Sequence, residues 1–390
     1  MTDFVQVEYT EPALAFPVEE GLVRACRETF GANLRAVVLT GSLARNEASY
    51  VYRDGKAILQ SDVEAIVVLH DDAPLPSRQG SRALCQLTGE LLAARGVSVE
   101  VSFSVVHGAY LRHLPPYIYS YELRSCGMVL FGEPTILSLI PGYSASDLSR
   151  EDAWRMLSNR LIEQMSTEPS ATHVRYRSIK LCLDVASSIL VFFGRFDAGY
   201  RARLHRMEEF ALMPAAQQLP ISMEEFMPLV RMSTSAKLQS EVAVDFGHGF
   251  EDRVTHLAWQ VWRWQLQQLS GNEVGEPESM VRAFGRSEGK KRLLRGWLYA
   301  VRRIGWLGSA RYWPKWFSLF CKGLTPRHAI YLAAYRWHQG CCDKTINDLP
   351  RSLRSVSGLL PVNGSPRAAC DGVAAQLVWN YKEFTVETRA

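Results

Sequence analysis

Two periods of apolar residues alternate along this chain. From Val18 to Phe30 the apolar positions fall at helical spacing, and "LRAVVLTGS" then reads as a strand ending in a turn. A second strand reads at "DVEAIVVL", and "RQGSRALCQLTGELLAARG" reads as a helix stopped by Gly96. In the third strand, "VSVEVSFSVV", Ser98, Glu100, Ser102 and Ser104 share one face while Val97, Val99, Val101, Phe103 and Val105 share the other, so one side is core and the other wet. A helix around residues 117–124 and a short strand "MVLFG" follow, before Pro134, Pro141 and Gly142 mark a boundary.

Beyond Ser149 the period is helical almost throughout, in "EDAWRMLSNRLIEQM", "VRYRSIKLCLDVASSILVFFG", "DAGYRARLHRMEEFALM" and "EDRVTHLAWQVWRWQLQQL". The pattern predicts an α/β (α+β) mixed-sheet domain over residues 1–142, a helical domain over 143–275 and a basic, tryptophan-rich helical region over 276–390. Acidic "SGNEVGEPES" reads as the linker to the last of these, which ends with a helix near "AACDGVAAQLVWNY".

A hydrophobic fraction of 47% in 390 residues is that of a packed globular protein. No apolar run reaches the roughly 18 residues needed to cross a bilayer, and "MTDFVQVEYTEPALAF" lacks a basic region followed by an apolar one, so the chain is expected in the cytoplasm. The eight cysteines have neither paired metal-ligand spacing nor the density of a disulfide scaffold, and are expected as reduced thiols, mostly in the core.

Charge changes the picture only locally. Arg282, Arg286, Lys290, Lys291, Arg292, Arg295 and further lysines and arginines crowd residues 281–342, where Glu288 is the one acid. Interleaved with Trp297, Trp306, Trp313 and Trp316, this segment fits a solvated basic face, a helix lying on an anionic membrane surface, or a groove where rings stack on nucleic-acid bases.

The candidate chemistry lies near the N-terminus. Asp62 and Glu64 open a strand and point to one face about 6.6 Å apart along it, where two carboxylates repel unless a cation lies between them. Two-metal phosphoryl-transfer sites hold magnesium ions about 3.5–4 Å apart, a distance paired acids can bridge. Glu100, on the wet face of the third strand, is placed to join them as ligand or as base for an attacking hydroxyl. Gly41 allows backbone N–H groups close to a phosphate, Ser42 adds a hydroxyl, and Arg45 adds a guanidinium.

In this order "LTGSLAR", "SDVEAIVV" and "VEVSF" resemble the polymerase β-like nucleotidyltransferase superfamily. The Asp-x-Glu form preceded by Ser61 looks most like antibiotic nucleotidyltransferases, of which kanamycin nucleotidyltransferase is one. The resemblance implies that Gly41 and Ser42 hold the β- and γ-phosphates, that Asp62 and Glu64 bind two magnesium ions, and that Glu100 is ligand or base. It covers roughly the first 135 residues well and the next 70 loosely, where "RSIKLCLDVASSILVFFGRFDAGYRARL" is similar to the helices that follow the catalytic domain and the likeness places Lys180 near the triphosphate. The stretch from Leu43 to Ser61 is longer than in that family; "SYVYRDGKAILQ" alternates around Asp54-Gly55, a hairpin signal that loops out the excess but leaves Arg45 and Glu47 unplaced.

The implied activity is magnesium-dependent transfer of a nucleoside monophosphate from a triphosphate, ATP first among them, to an acceptor hydroxyl. Two alternatives stay open: a nucleotide second-messenger synthase, and an inactive nucleotide-binding or membrane-associated adaptor acting through residues 281–342. Lys180 is equally readable as the partner of Asp184 one helical turn on. His107, His113 and His173 read as structural or surface histidines, and Tyr200 and Arg203 as packing and surface residues.

Overall fold

The computed structural model describes residues 12–53, 56–59, 61–97, 99–166, 171–238, 245–271, 275–342 and 370–382. Among the described residues the strands are β1 (Leu34–Thr40), β2 (Tyr50–Arg53), β3 (Lys56–Leu59), β4 (Val63–Leu69), β5 (Val101–His107) and β6 (Met128–Gly132). Around them stand helices α1 (Pro12–Phe30), α2 (Gly41–Ala44), α3 (Arg78–Ala93), α4 (Gly108–Arg112) and α5 (Ile118–Cys126).

The main sheet has the order β5-β4-β1-β6 and is mixed: β1 runs antiparallel to both β4 and β6, while β4 and β5 are parallel. The strand alternation sends Val63, Ala65, Val67 and Leu69 toward α1 and α3, where they bury with Val18, Leu22, Leu84 and Leu92. Ile66 and Val68 face the other way, onto Leu111, Leu114 and Leu123 of α4, α5 and their connection. β4 is therefore covered on both faces, which explains its continuous apolar run.

The third strand is shorter than its pattern predicts, starting at Val101 rather than Val97. Gly96, at φ +80°, ends α3 with the N–H of Val97 on the carbonyl of Leu92 and its own N–H on Ala93. That is the paired bonding of a Schellman cap, which uses Val97 before the strand can. The expected hairpin forms from β2 and β3, antiparallel from Tyr50↔Leu59 to Arg53↔Lys56; Asp54 and Gly55 lie outside the described residues.

The rest is helical: α6 (Arg150–Glu163), α7 (Ala171–Phe192), α8 (Tyr200–Ala211), α9 (Met223–Leu238), α10 (Phe250–Ser270), α11 (Pro277–Ser287), α12 (Lys290–Ile304), α13 (Trp306–Ser309), α14 (Trp313–Cys321), α15 (Pro326–Cys342) and α16 (Cys370–Tyr381). One apolar core runs through them, with Trp154 of α6 against Trp262 of α10, Phe284 of α11 and Tyr331 of α15. Among the described residues no helix is long and apolar enough to cross a membrane. Among the described residues Cys26, Cys85, Cys126, Cys182 and Cys321 are free thiols; Cys26 and Cys182 are core, Cys85 and Cys126 half-buried, and Cys321 is exposed. His107 and His113 bond the carbonyls of Ala73 and Ala109, as structural histidines do.

Candidate active site

The carboxylates sit where the cover over the sheet ends. Glu64 precedes Ile66 on the face packed by α4 and α5, but is only half-buried, and Asp62, one alternation earlier, is exposed. The parallel register Val63↔Val101 and Glu64↔Ser102, continued by the 2.9 Å bond from the Val63 N–H to the Glu100 carbonyl, sets Glu100 beside Asp62. Sequence alternation and sheet register thus bring Asp62, Glu64 and Glu100 to one end of adjacent strands.

Gly41 follows β1, whose last residue, Thr40, pairs with Glu64. Its φ is +72°, which favours glycine, and a Cβ built there would lie 2.5 Å from Glu64 Oε2, so a larger residue would move the carboxylate. Ser42 follows in α2, its carbonyl accepting the Glu47 N–H at 2.8 Å.

The long insert is closed at its base: the Ser49 N–H donates to Ser61 Oγ at 2.9 Å, so the hairpin leaves and returns without displacing Asp62. Lys237, from the last turn of α9, inserts here. Its Nζ donates to Ser49 Oγ at 2.7 Å, Ser61 Oγ at 3.3 Å and Tyr176 Oη at 3.4 Å, while Ser49 Oγ donates to the Lys237 carbonyl at 3.1 Å. Lys237 is 2% exposed and its bonded partners are hydroxyls. Burial lowers its pKa, and Lys180 pushes the same way against the opposing pull of Tyr176.

Lys180 lies with its Nζ 4.7 Å from the centre of the Tyr176 ring, which Lys237 approaches at 5.8 Å. Burial would raise Tyr176, but Lys237 and Lys180 outweigh it and its pKa falls. Asp184 does not serve Lys180; it accepts from Arg160 Nε at 2.6 Å. Two ammonium groups therefore share one ring beside the residue that precedes Asp62.

Arg45 and Glu47 take a different course. Arg45 pairs with Glu47 and with Glu122 of α5, both at 3.2 Å, and its guanidinium stands over Tyr200. Glu47 Oε1 accepts the N–H of Tyr200 at 2.5 Å and that of Arg201 at 3.4 Å, capping α8 from 153 residues away. Arg203 completes the group on Glu122 and donates to Ser187 Oγ at 3.1 Å. It is buried, which corrects its reading as a surface residue. Burial alone would depress Arg45, yet Glu122, Tyr200 and Glu47 hold it raised; Tyr200 itself is pushed up to about 12 by burial.

Sequence reasoning missed Lys237 and its helix. Pro228 lies within α9 and reads in sequence as a helix breaker, although Glu224 and Glu225 in the first turn are an ordinary helix-start signal.

No protein-family model matches the chain, and no curated protein matches it. Among solved structures it is similar to spectinomycin adenyltransferase AAD(9) from Enterococcus faecialis, solved with ATP and spectinomycin, at 12% sequence identity and a TM-score of 0.40, over 63% of this chain and 98% of that one.

Carboxylate oxygens such as those of Asp62, Glu64 and Glu100 are the donor type that magnesium takes. Among the described residues, no three His, Cys, Asp or Glu side chains already stand together as a metal-holding group. Asp62 and Glu100 are exposed, so their side chains have room to turn toward an ion.

Proposed function

We propose that the chain transfers a nucleoside monophosphate from a nucleoside triphosphate, ATP first among them, to an acceptor hydroxyl. What supports this reading is the register that sets Asp62, Glu64 and Glu100 at one end of β4 and β5, next to a glycine turn against Glu64 and two lysines that share Tyr176. Acids at one spot, and cations beside it whose bonded partners among the described residues are hydroxyls and a ring, suit a polyphosphate brought in with divalent metal.

In this reading Gly41 and Ser42 hold the β- and γ-phosphates, and Lys180 and Lys237 meet their charge. Asp62 and Glu64, with Glu100, would hold magnesium, which when bound neutralises phosphate oxygens. The acceptor oxygen forms a bond to the α-phosphorus as the bond from that phosphorus to the bridging oxygen breaks. Pyrophosphate leaves with the electron pair, and the Glu100 carboxylate takes the hydroxyl proton. Arg45 has its charge met by Glu47 and Glu122, so its part is to tie α2 to α8.

Incubation with labelled triphosphates, magnesium and a panel of hydroxyl acceptors tests the reading. Pyrophosphate and a nucleotidylated acceptor are expected. Oligonucleotide products from triphosphates alone would instead identify a second-messenger synthase, and no pyrophosphate with any acceptor would leave an adaptor.

A further inference from the structure

α12 and α14 each carry two apolar faces where an ordinary surface helix carries one. Inward, Trp297 of α12 packs against Trp316 of α14 at 5.4 Å between ring centres, and Ala300 and Leu319 are buried beside them. Outward, Leu294 and Leu298 lie one turn apart on α12, and Trp313 and Phe317 one turn apart on α14, all exposed. Trp306 of α13 is 67% exposed and meets Trp313 edge-on at 5.3 Å, joining the two outward faces. Single exposed apolar residues are ordinary on a protein surface, but five gathered on three consecutive helices mark a contact site.

Among the described residues of 281–342, the exposed charge has one sign. Lys290, Lys291, Arg295, Arg302 and Lys322 are exposed, and the segment's one acid, Glu288, has a side chain only 6% exposed. At 100° per residue, Lys291, Arg295, Arg302, Leu298 and Leu294 fall within an arc about 100° wide on α12. Cations therefore flank leucines on one continuous outward face.

We propose that this face of α12–α14 is a docking surface for an anionic lipid membrane, on which the protein lies without crossing it. Lysine and arginine would meet the headgroups while Leu294, Leu298, Trp306 and Phe317 enter the boundary of the acyl region, where tryptophan is favoured. A second copy of the chain fits poorly, because a two-fold contact would set these cations against themselves. Nucleic acid also fits poorly: leucine offers no ring to stack on a base, and Trp306 and Trp313 turn edge to face on each other rather than presenting parallel platforms.

Co-sedimentation of the full chain with vesicles tests this surface, and does so without reference to nucleotidyl transfer. Binding is expected to phosphatidylcholine vesicles containing phosphatidylglycerol, weakening as salt rises, and not to phosphatidylcholine alone. Replacing Lys291, Arg295 and Arg302 together by glutamine is expected to weaken binding about a hundredfold, on the order of fivefold per charge. Leu298→Ser with Trp306→Ser is expected to abolish it, with the melting temperature unchanged because these side chains are exposed. Should either variant fold poorly, quenching of the unmodified protein's tryptophan fluorescence by brominated phosphatidylglycerol decides the matter, and quenching is expected. Failure of the wild-type chain to sediment with anionic vesicles would overturn the proposal. So would undiminished binding by the folded variants, unquenched fluorescence, or tighter binding to a single-stranded oligonucleotide than to vesicles at the same salt.

Discussion

Lys237 Nζ donates to Ser61 Oγ at 3.3 Å, joining the end of α9 to the residue that precedes Asp62. A buried ammonium whose partners are hydroxyls is costly, since burial disfavours its charged form and hydroxyls offset only part of that. Lys237→Met is therefore expected to leave the fold at least as stable by thermal melting while lowering turnover about tenfold or more, the stability–activity trade expected when a strained group serves a substrate. A stability loss with full turnover would make Lys237 a structural residue only.

Glu47 and Tyr200 fix the α/β elements to the helices. Glu47→Ala removes the cap of α8 and leaves Arg45 short of one of its two carboxylate partners in a largely buried place. Breaking a buried pair from one side typically costs about 3–5 kcal/mol, which denaturant unfolding would detect.

How much of this was legible in sequence depended on reach. The apolar runs of β1 and β4, the alternation in β5 and the Asp-Gly hairpin are local signals, and they located Gly41, Asp62, Glu64 and Glu100 to within a residue of their strand ends, although Asp62 and Glu100 precede β4 and β5 rather than open them. The destinations of Arg45 and Glu47 were not legible, because their partners Glu122 and Tyr200 are fixed by how α5 and α8 dock. Asp184 shows the same limit: helical spacing offers it to Lys180, yet it accepts from Arg160 of α6. Lys237 was doubly hidden, by Pro228 within its helix and by contacts to Ser49 and Ser61 made only on folding.

Gly41→Ala forces a methyl group against Glu64 Oε2 and strains a backbone at φ +72°. A stability loss of about 1–2 kcal/mol is expected from the backbone conformation. Magnesium-dependent turnover should fall further than stability does, because the displaced group is the Glu64 carboxylate; steady-state kinetics on the folded variant would show the split.

Glu288 gives the helical region a pH dependence of its own. Burial and Glu151 push it up to about 7, against Arg292 and Arg155, with His328 of α15 also 3.5 Å away. A carboxyl raised in the folded state is retained as the neutral acid while the unfolded chain ionises, so its contribution is complete below about pH 4.5 and is lost as pH rises through about 7. Melting temperatures across that window should fall less with rising pH in Glu288→Gln than in the wild type.

Whether Asp62, Glu64 and Glu100 together hold divalent metal beside a triphosphate can be read by titrating manganese, as a spectroscopic stand-in for magnesium, and following its electron paramagnetic resonance with a non-hydrolysable triphosphate present. The wild-type chain is expected to bind manganese more tightly with the nucleotide than without it, and Asp62→Asn and Glu64→Gln, each folded by thermal melting, are expected to lose that binding. Manganese held as tightly by both folded variants as by the wild type would contradict such joint binding.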